Sequence, residues 1–263
     1  MKNVFAFGFI IMFTLQTSGQ IYTDIKQLTD AGVSFPPQTL LSIGIGNCDL
    51  GLIKSAISKG ADLNKPLQED SYILPLVGAI SGAATTLLPG DEGIIASQIR
   101  DYGSAVFSGR SVSDLRRDYV EIVRFFLQNG AKPNVSVDYS SGGIPLLKAA
   151  QYQDIEIVKL LLDFKADPNS RDDVGTTALH SLVLPIALGY PYKNGPEIAR
   201  LLISKGAKMT KVSTEDGAGQ TPLMLARSNL EIIQAADSPW RDYTWYNELF
   251  NSIKSLVDIY SKM

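Results

Sequence analysis

The feature that most restricts what this chain can fold into is an internal repeat. Four stretches close alike: Gly60-Ala61-Asp62-Leu63-Asn64, Gly130-Ala131-Lys132-Pro133-Asn134, Lys165-Ala166-Asp167-Pro168-Asn169 and Gly206-Ala207-Lys208-Met209-Thr210. Each follows an apolar run with helical spacing, such as Ile157-Val158-Lys159-Leu160-Leu161-Leu162. A second series opens each unit, at Leu40-Leu41, Pro75-Leu76, Pro145-Leu146, Ala178-Leu179-His180 and Pro222-Leu223. A short unit cannot bury its apolar face alone and must stack on its neighbours, so the pattern predicts a solenoid.

The spacing locates what interrupts the repeat. From opening Leu to closing Ala the distance is 20 residues in unit 1 (41 to 61) and in unit 3 (146 to 166). It is 55 in unit 2 (76 to 131) and 28 in unit 4 (179 to 207), so those units carry 35 and 8 extra residues between their helices. The connectors from closing Ala to the next opening Leu are nearly constant, at 15, 15, 13 and 16 residues.

At these residues the chain resembles the ankyrin repeat family, whose unit is a β-turn followed by two antiparallel helices. Arg171-Asp172-Asp173-Val174-Gly175-Thr176-Thr177-Ala178-Leu179-His180 and Gly219-Gln220-Thr221-Pro222-Leu223 carry the likeness most closely. Thr suits the N-cap, Pro the first helical position, and Gly the left-handed C-cap; the Asn after it suits a turn. Unit 2 lacks the opening Thr, unit 3 has Lys165 for the C-cap Gly, and unit 5 lacks the closing motif. The expected fold is all-α: a solenoid of about five ankyrin units spanning 39–236, with insertions near 81–116 and 184–194. Residues 20–38 read as an N-terminal cap and 237–263 as a C-terminal helical cap, where Leu249, Phe250, Ile253, Leu256, Val257 and Tyr260 recur at helical spacing.

Residues 1–19 read as a cleaved secretory signal peptide: Lys2, a 12-residue uncharged run from Val4 to Leu15, then Thr17-Ser18-Gly19 before Gln20. The run is too short to span a bilayer. The expected location is therefore periplasmic or extracellular, as in an exported, bacterial-type repeat protein. The 24 basic and 27 acidic side chains give a net charge of −3, which argues against a surface that tracks nucleic-acid phosphates. A single Cys and a single His leave no disulfide, no Cys-based zinc site and no His-rich metal cluster to expect. Cys48 falls in the turn of unit 1, where Asp49 beside it offers no cation or helix N-terminus to activate a thiolate. His180 falls where the family places a structural hydrogen bond between repeats.

These absences point to a non-catalytic protein-binding module with no cofactor. The sharper expectation is an inhibitor or immunity protein that blocks a toxic enzyme such as a cell-wall peptidase or lipase. The alternatives are a secreted effector that binds host proteins, or an enzyme with its site in the 81–116 insertion. Glu69, Asp70, Asp138, Asp172, Asp173, Glu215 and Asp216 outnumber Lys65, Arg171 and Lys211 at the hairpins, which predicts a basic-surfaced protein partner held by an otherwise monomeric chain. Glu69, Asp172 and Asp216 are expected to bond their own hairpin backbone. In the family, partners are gripped by hairpin tips and by exposed residues ending each first helix. The resemblance carries this to Gln68 and Asp70 in unit 2, and to Asp138, Ser140, Ser141, Gly143, Gln151 and Tyr152 in unit 3. In unit 4 it carries to Arg171, Asp173, Val174 and Thr176, and in unit 5 to Glu215, Gln220 and Ser228. Tyr152 is the expected anchor, with Tyr102 or Tyr190 offering a similar aromatic from an insertion.

Overall fold

The computed structural model describes residues 33–68, 73–87, 110–135, 143–183, 192–211, 219–235 and 246–263. Ten α-helices lie among them, in five pairs. Unit 1 holds α1 (Pro37–Gly46) and α2 (Leu50–Ser58); unit 2 holds α3 (Pro75–Thr85) and α4 (Val112–Gln128). Unit 3 holds α5 (Pro145–Gln151) and α6 (Ile155–Asp163); unit 4 holds α7 (Ala178–Ser181) and α8 (Gly195–Ser204). The fifth pair is α9 (Pro222–Gln234) and α10 (Tyr246–Tyr260). No strand occurs among the described residues. The all-α solenoid expected from the repeat is what forms.

Helix entry follows local chemistry. Proline occupies the first turn of α1, α3, α5 and α9, where its missing N–H removes no intrahelical bond. Asp49, Ser111, Asp154 and Thr221 each cap a helix, accepting the amide of Leu52, Asp114, Ile157 and Met224 at 2.9, 3.1, 3.2 and 3.2 Å. Gly60, Gly130 and Gly206 leave their helices at φ of 99°, 92° and 91°; Lys165 takes the same left-handed place at 67°, a conformation its Cβ disfavours.

The first helices α1, α3, α5, α7 and α9 stack in order, and α4, α6, α8 and α10 stack behind them. Between the layers one apolar core runs the length of the stack, through Leu41, Ile80, Phe126, Leu147, Leu161, Leu179, Leu202 and Leu256, all nearly solvent-free. Gly82 lets α4 approach α3, since a Cβ there would lie 2.3 Å from the Tyr119 ring. The Tyr119 hydroxyl in turn donates to Gly46 O at 3.5 Å, tying unit 2 to unit 1.

Two expectations need correction. Both edges of the expected 81–116 insertion are helical: α3 runs on through Ser81–Thr85 on small side chains, and α4 starts at Val112 behind the Ser111 cap. Arg116, inside those edges, forms a bidentate pair with Asp154 at 2.5 and 2.7 Å and reaches Glu156 at 3.0 Å, clasping unit 2 to unit 3. The terminal helix, expected as a cap, stands where a fifth second helix belongs, against both α9 and α8. Its buried Ile253 and Leu256 flank Lys254 as Val158 and Leu161 flank Lys159 in unit 3.

The closing Asn residues do more than turn the chain. Asn64 Nδ2 donates to Gly130 O at 3.0 Å while its Oδ1 accepts from Lys132 N at 2.8 Å. Asn134 makes the same pair with Lys165 O (3.0 Å) and Asp167 N (2.7 Å), and Asn169 with Gly206 O (2.9 Å) and Lys208 N (2.8 Å). A carboxamide both donates and accepts, so one side chain satisfies a C-cap carbonyl and an amide of the next unit. At the start of this ladder Gln38 substitutes from α1, its Oε1 accepting from Asp62 N at 3.0 Å.

Candidate functional site

The outer turn of unit 4 is built from its own backbone outward. Asp172 N donates to Thr176 O at 3.1 Å, Thr176 N donates to Asp172 Oδ1 at 2.6 Å, and Gly175 closes the turn at φ 85°. Asp172 therefore serves its own hairpin, as expected of an acid at that position. The turn leaves Arg171, Asp173 and Val174 exposed, Val174 by 50%. Gln220 lies exposed beyond them, and Gln68 is exposed at the hairpin of unit 2.

Behind the turn, His180 is 1% exposed and both its nitrogens are committed. Nδ1 accepts from Thr177 N at 3.2 Å and Thr177 Oγ1 at 2.9 Å, so Nε2 carries the hydrogen and donates to Gln220 O at 3.1 Å in the next unit. Burial lowers its pKa below the ordinary value and holds the ring neutral. It is a bond between repeats, as its position implied.

At the far end of α5, Lys148 Nζ sits 5.0 Å from the centre of the Tyr152 ring and donates to Gln151 Oε1 at 3.1 Å. Tyr152 is half-buried against the core, so it supports the helix end as well as presenting a face. Ser228 is half-buried on α9. Thr176 and Gly143, expected at the contact surface, are buried: the Thr176 amide is drawn in by Asp172, and Gly143 lies against the start of α5. Asp70, Tyr102, Asp138, Ser140, Ser141, Tyr190 and Glu215 lie outside the described residues, as do Glu69 and Asp216. The described members thus fall on two levels. Gln68, Arg171, Asp173, Val174 and Gln220 line the hairpin edge, while Gln151 and Tyr152 end a first helix roughly 10 Å away at 1.5 Å per residue.

Cys48 sits in a setting the sequence did not reveal. Its φ is 52° in the turn before α2, so a helix N-terminus does follow it, and Arg110 donates to its carbonyl at 3.4 Å while pairing with Asp118. Burial outweighs that cation and pushes the thiol up to about 11. A cleft of about 390 Å³ opens beside it, lined by Asn47, Asp49, Leu50, Arg110, Asp118 and Glu121. Among the described residues no His, Cys, Asp and Glu cluster is placed to hold a metal ion, and no helix is long and apolar enough to cross a membrane.

Comparison with known proteins agrees with this architecture. Residues 113–184 match the ankyrin-repeat family description of three repeat copies. Over 124 residues, 47% of the chain, it is 28% identical to the Neurogenic locus Notch protein of Drosophila melanogaster. Over 75 residues, 26% of the chain, it is 29% identical to an ankyrin repeat protein of Acanthamoeba polyphaga mimivirus. These stretches make up 4% and 13% of the two relatives, so the chain spans only a small part of either. Ankyrin repeats are a protein–protein interaction module and generally not catalytic. With its paired helices and closing Asn ladder, the chain is similar to ankyrin repeat proteins, and its residues 113–184 match that family's repeats.

Proposed function

We propose that this chain is a non-catalytic binding module that works outside the cytoplasm as an inhibitor or immunity protein, blocking a toxic enzyme such as a cell-wall peptidase or lipase. The observation that carries the binding role is the unit 4 turn. Val174, half exposed next to the exposed Asp173 and three residues past Arg171, stands on a backbone locked by Asp172. An apolar side chain on a fixed backbone beside polar neighbours loses little entropy on contact and excludes water well. The signal-like first nineteen residues support export, and the excess of hairpin acids supports a basic-surfaced target.

Capture from periplasmic extract and culture medium, with the mature chain as bait, tests this reading. The parent should retain a hydrolase and suppress its activity. Val174→Asp should weaken capture on the order of tenfold, or about 1–2 kcal/mol. Retention of partners with no effect on any hydrolase would sink the inhibitor role. Equal capture by Val174→Asp would move the contact away from the hairpin edge. Export stands or falls separately, on whether the mature N-terminus begins at Gln20.

A further inference from the structure

A solenoid ends with a polar outer face when nothing more is to be stacked on it. The last first helix here does not. Met224 follows the opening Leu of unit 5, and the residues at that position in units 2, 3 and 4 are Val77, Leu147 and His180. Those three, in interior units, are 2%, 2% and 1% exposed, whereas Met224 is 47% exposed. Two turns further on, Ile232 is 49% exposed. Ser228, small and half-buried, lies midway, so positions 224, 228 and 232 form one stripe down α9 at i, i+4 and i+8. Arg227 and Glu231 are exposed on one flank of the stripe. Among the described residues Glu231 has no ion-pair partner, and Arg227 has only a long 3.5 Å bond to Ser261 Oγ.

We propose that this face is a self-association surface on which the α9 helices of two copies of the chain pair antiparallel about a two-fold axis at Ser228. The pattern is self-complementary. Turned end for end about Ser228, Met224 of one copy meets Ile232 of the other, and Ile232 meets Met224. The small serines meet at the centre, which permits the close helix approach of roughly 8–10 Å. A two-fold axis of this kind keeps each flank facing its equivalent, so Arg227 lies between Glu231 and Arg227 of the second copy, each offset by two residues or about 3 Å, and two Arg–Glu contacts outweigh the one Arg–Arg contact at the axis. The pairing forms twice, once on each side of the axis. A contact of one helix on another is small for an interface, so the association is weak, with a Kd on the order of 100 µM. It leaves the hairpin edge of both copies open, does not depend on the function proposed above, and replaces the expected monomer with a weak dimer.

Charge reversal tests the geometry. By sedimentation velocity the mature chain should shift from monomer to dimer between about 10 µM and 1 mM. Arg227→Glu alone places Glu against Glu, and Glu231→Arg alone places Arg against Arg; each should raise Kd at least about tenfold. An equimolar mixture of the two single variants pairs Glu with Arg at both contacts, and should dimerise within about threefold of the parent. Circular dichroism matching the parent certifies that each variant is folded. Ile232→Asp should abolish association at every concentration. A parent that stays monomeric to 1 mM overturns the proposal, whatever covers the stripe. So does a dimer indifferent to the single reversals, or a mixture no tighter than its components.

Discussion

The two ends of the paired helices follow opposite rules. At the hairpin edge the links from unit 1 to 2, 2 to 3 and 3 to 4 are alike among the described residues: a closing Asn bridges a C-cap carbonyl and an amide, at Asn64, Asn134 and Asn169. At the opposite end, where first helix turns into second, each unit is different. Units 1 and 3 turn tightly through Cys48 and Gln153, both at φ 52°, while units 2 and 4 are interrupted between their helices. Links between units there are particular: Arg116 to Asp154 joins units 2 and 3, and Asn194 Nδ2 to Gln153 O at 3.1 Å joins 3 and 4. Each clamp sits inside a connector, at Asn64, Asn134 and Asn169, and ties it to the next connector, so a change of length within a connector disturbs the clamp. That explains connectors of 15, 15, 13 and 16 residues beside insertions of 35 and 8. Growth is tolerated only where no repeated bond is strained by it.

Lengthening each end by one residue should expose the difference most strongly. An extra Gly between Asp167 and Pro168 displaces Asn169 from Gly206 and Lys208, and should cost at least about 3 kcal/mol with the unit's packing disturbed. An extra Gly after Leu87, on the interrupted side of unit 2, should cost less than about 0.6 kcal/mol, the entropy of a slightly longer loop. Urea midpoints of the two variants compare them directly. Equal losses would mean that the ladder does not set the spacing.

The particular links should matter next. Asp154 caps α6 and takes both arms of Arg116, with its side chain 2% exposed. Asp154→Ala removes the cap and leaves a largely buried guanidinium with Glu156 and a long 3.5 Å bond to Ala83 O, for an expected loss of about 2–4 kcal/mol. Asp154→Asn keeps the cap and should fall between the two. A loss below about 1 kcal/mol for Ala would show that the interrupted end is held by packing rather than by this pair.

A single clamp should count for less. Asn169→Ala breaks two bonds at an exposed edge where water can replace them, so about 1–2 kcal/mol is expected. Calorimetry should show that loss without a change in helix content.

Much of this was legible in the sequence, and the failures share a cause. Spacing showed that units recur and where they are interrupted, because opening and closing residues are local signals. It did not show what the closing Asn touches, since Asn64 and Gly130 are 66 positions apart. Arg116 read as part of an insertion because its partner belongs to the next unit. The terminal helix was foreseen, but as a cap rather than as the second helix of unit 5, because its closing motif is absent, although Ile253-Lys254 before Leu256 repeats Val158-Lys159 before Leu161 and was there to be aligned. At the candidate site, Val174, Arg171 and Asp173 were found exposed as expected, while Thr176 was misplaced. Its exposure depends on which way a hairpin amide points, and the repeat pattern carries no such information.

His180 lies on the hairpin side, and its effect should appear only with acid. Its pKa is lowered in the fold, so between that value and the ordinary value near 6.5 the unfolded chain binds more protons. Stability from this group is complete above about pH 6.5 and is lost as pH falls towards the folded value. Urea midpoints should therefore drop between pH 7.5 and 5.5. His180→Gln, which can still accept the Thr177 amide, should flatten that dependence. An unchanged slope would assign the acid sensitivity elsewhere.

The smallest effect belongs to the ladder's far end, and it bears most closely on why the ladder stops. Thr210 stands where Asn64, Asn134 and Asn169 stand in earlier units, and its hydroxyl is buried without a partner among the described residues. In register, Tyr260 of α10 occupies the place that Gly206 takes just after α8. The two helix ends nevertheless differ. Ala207 N reaches back to Leu202 O behind a left-handed Gly206, whereas Ser261 N simply continues the helix to Val257 O. The fifth unit therefore does not present the carbonyl and amide as a C-cap pair, and an Asn at 210 has no matching partner to bridge. Thr210→Asn should change stability by less than about 0.5 kcal/mol, against the 1–2 kcal/mol expected at Asn169. A gain of about 1 kcal/mol would show that α10 closes like its predecessors and that the ladder runs one unit further.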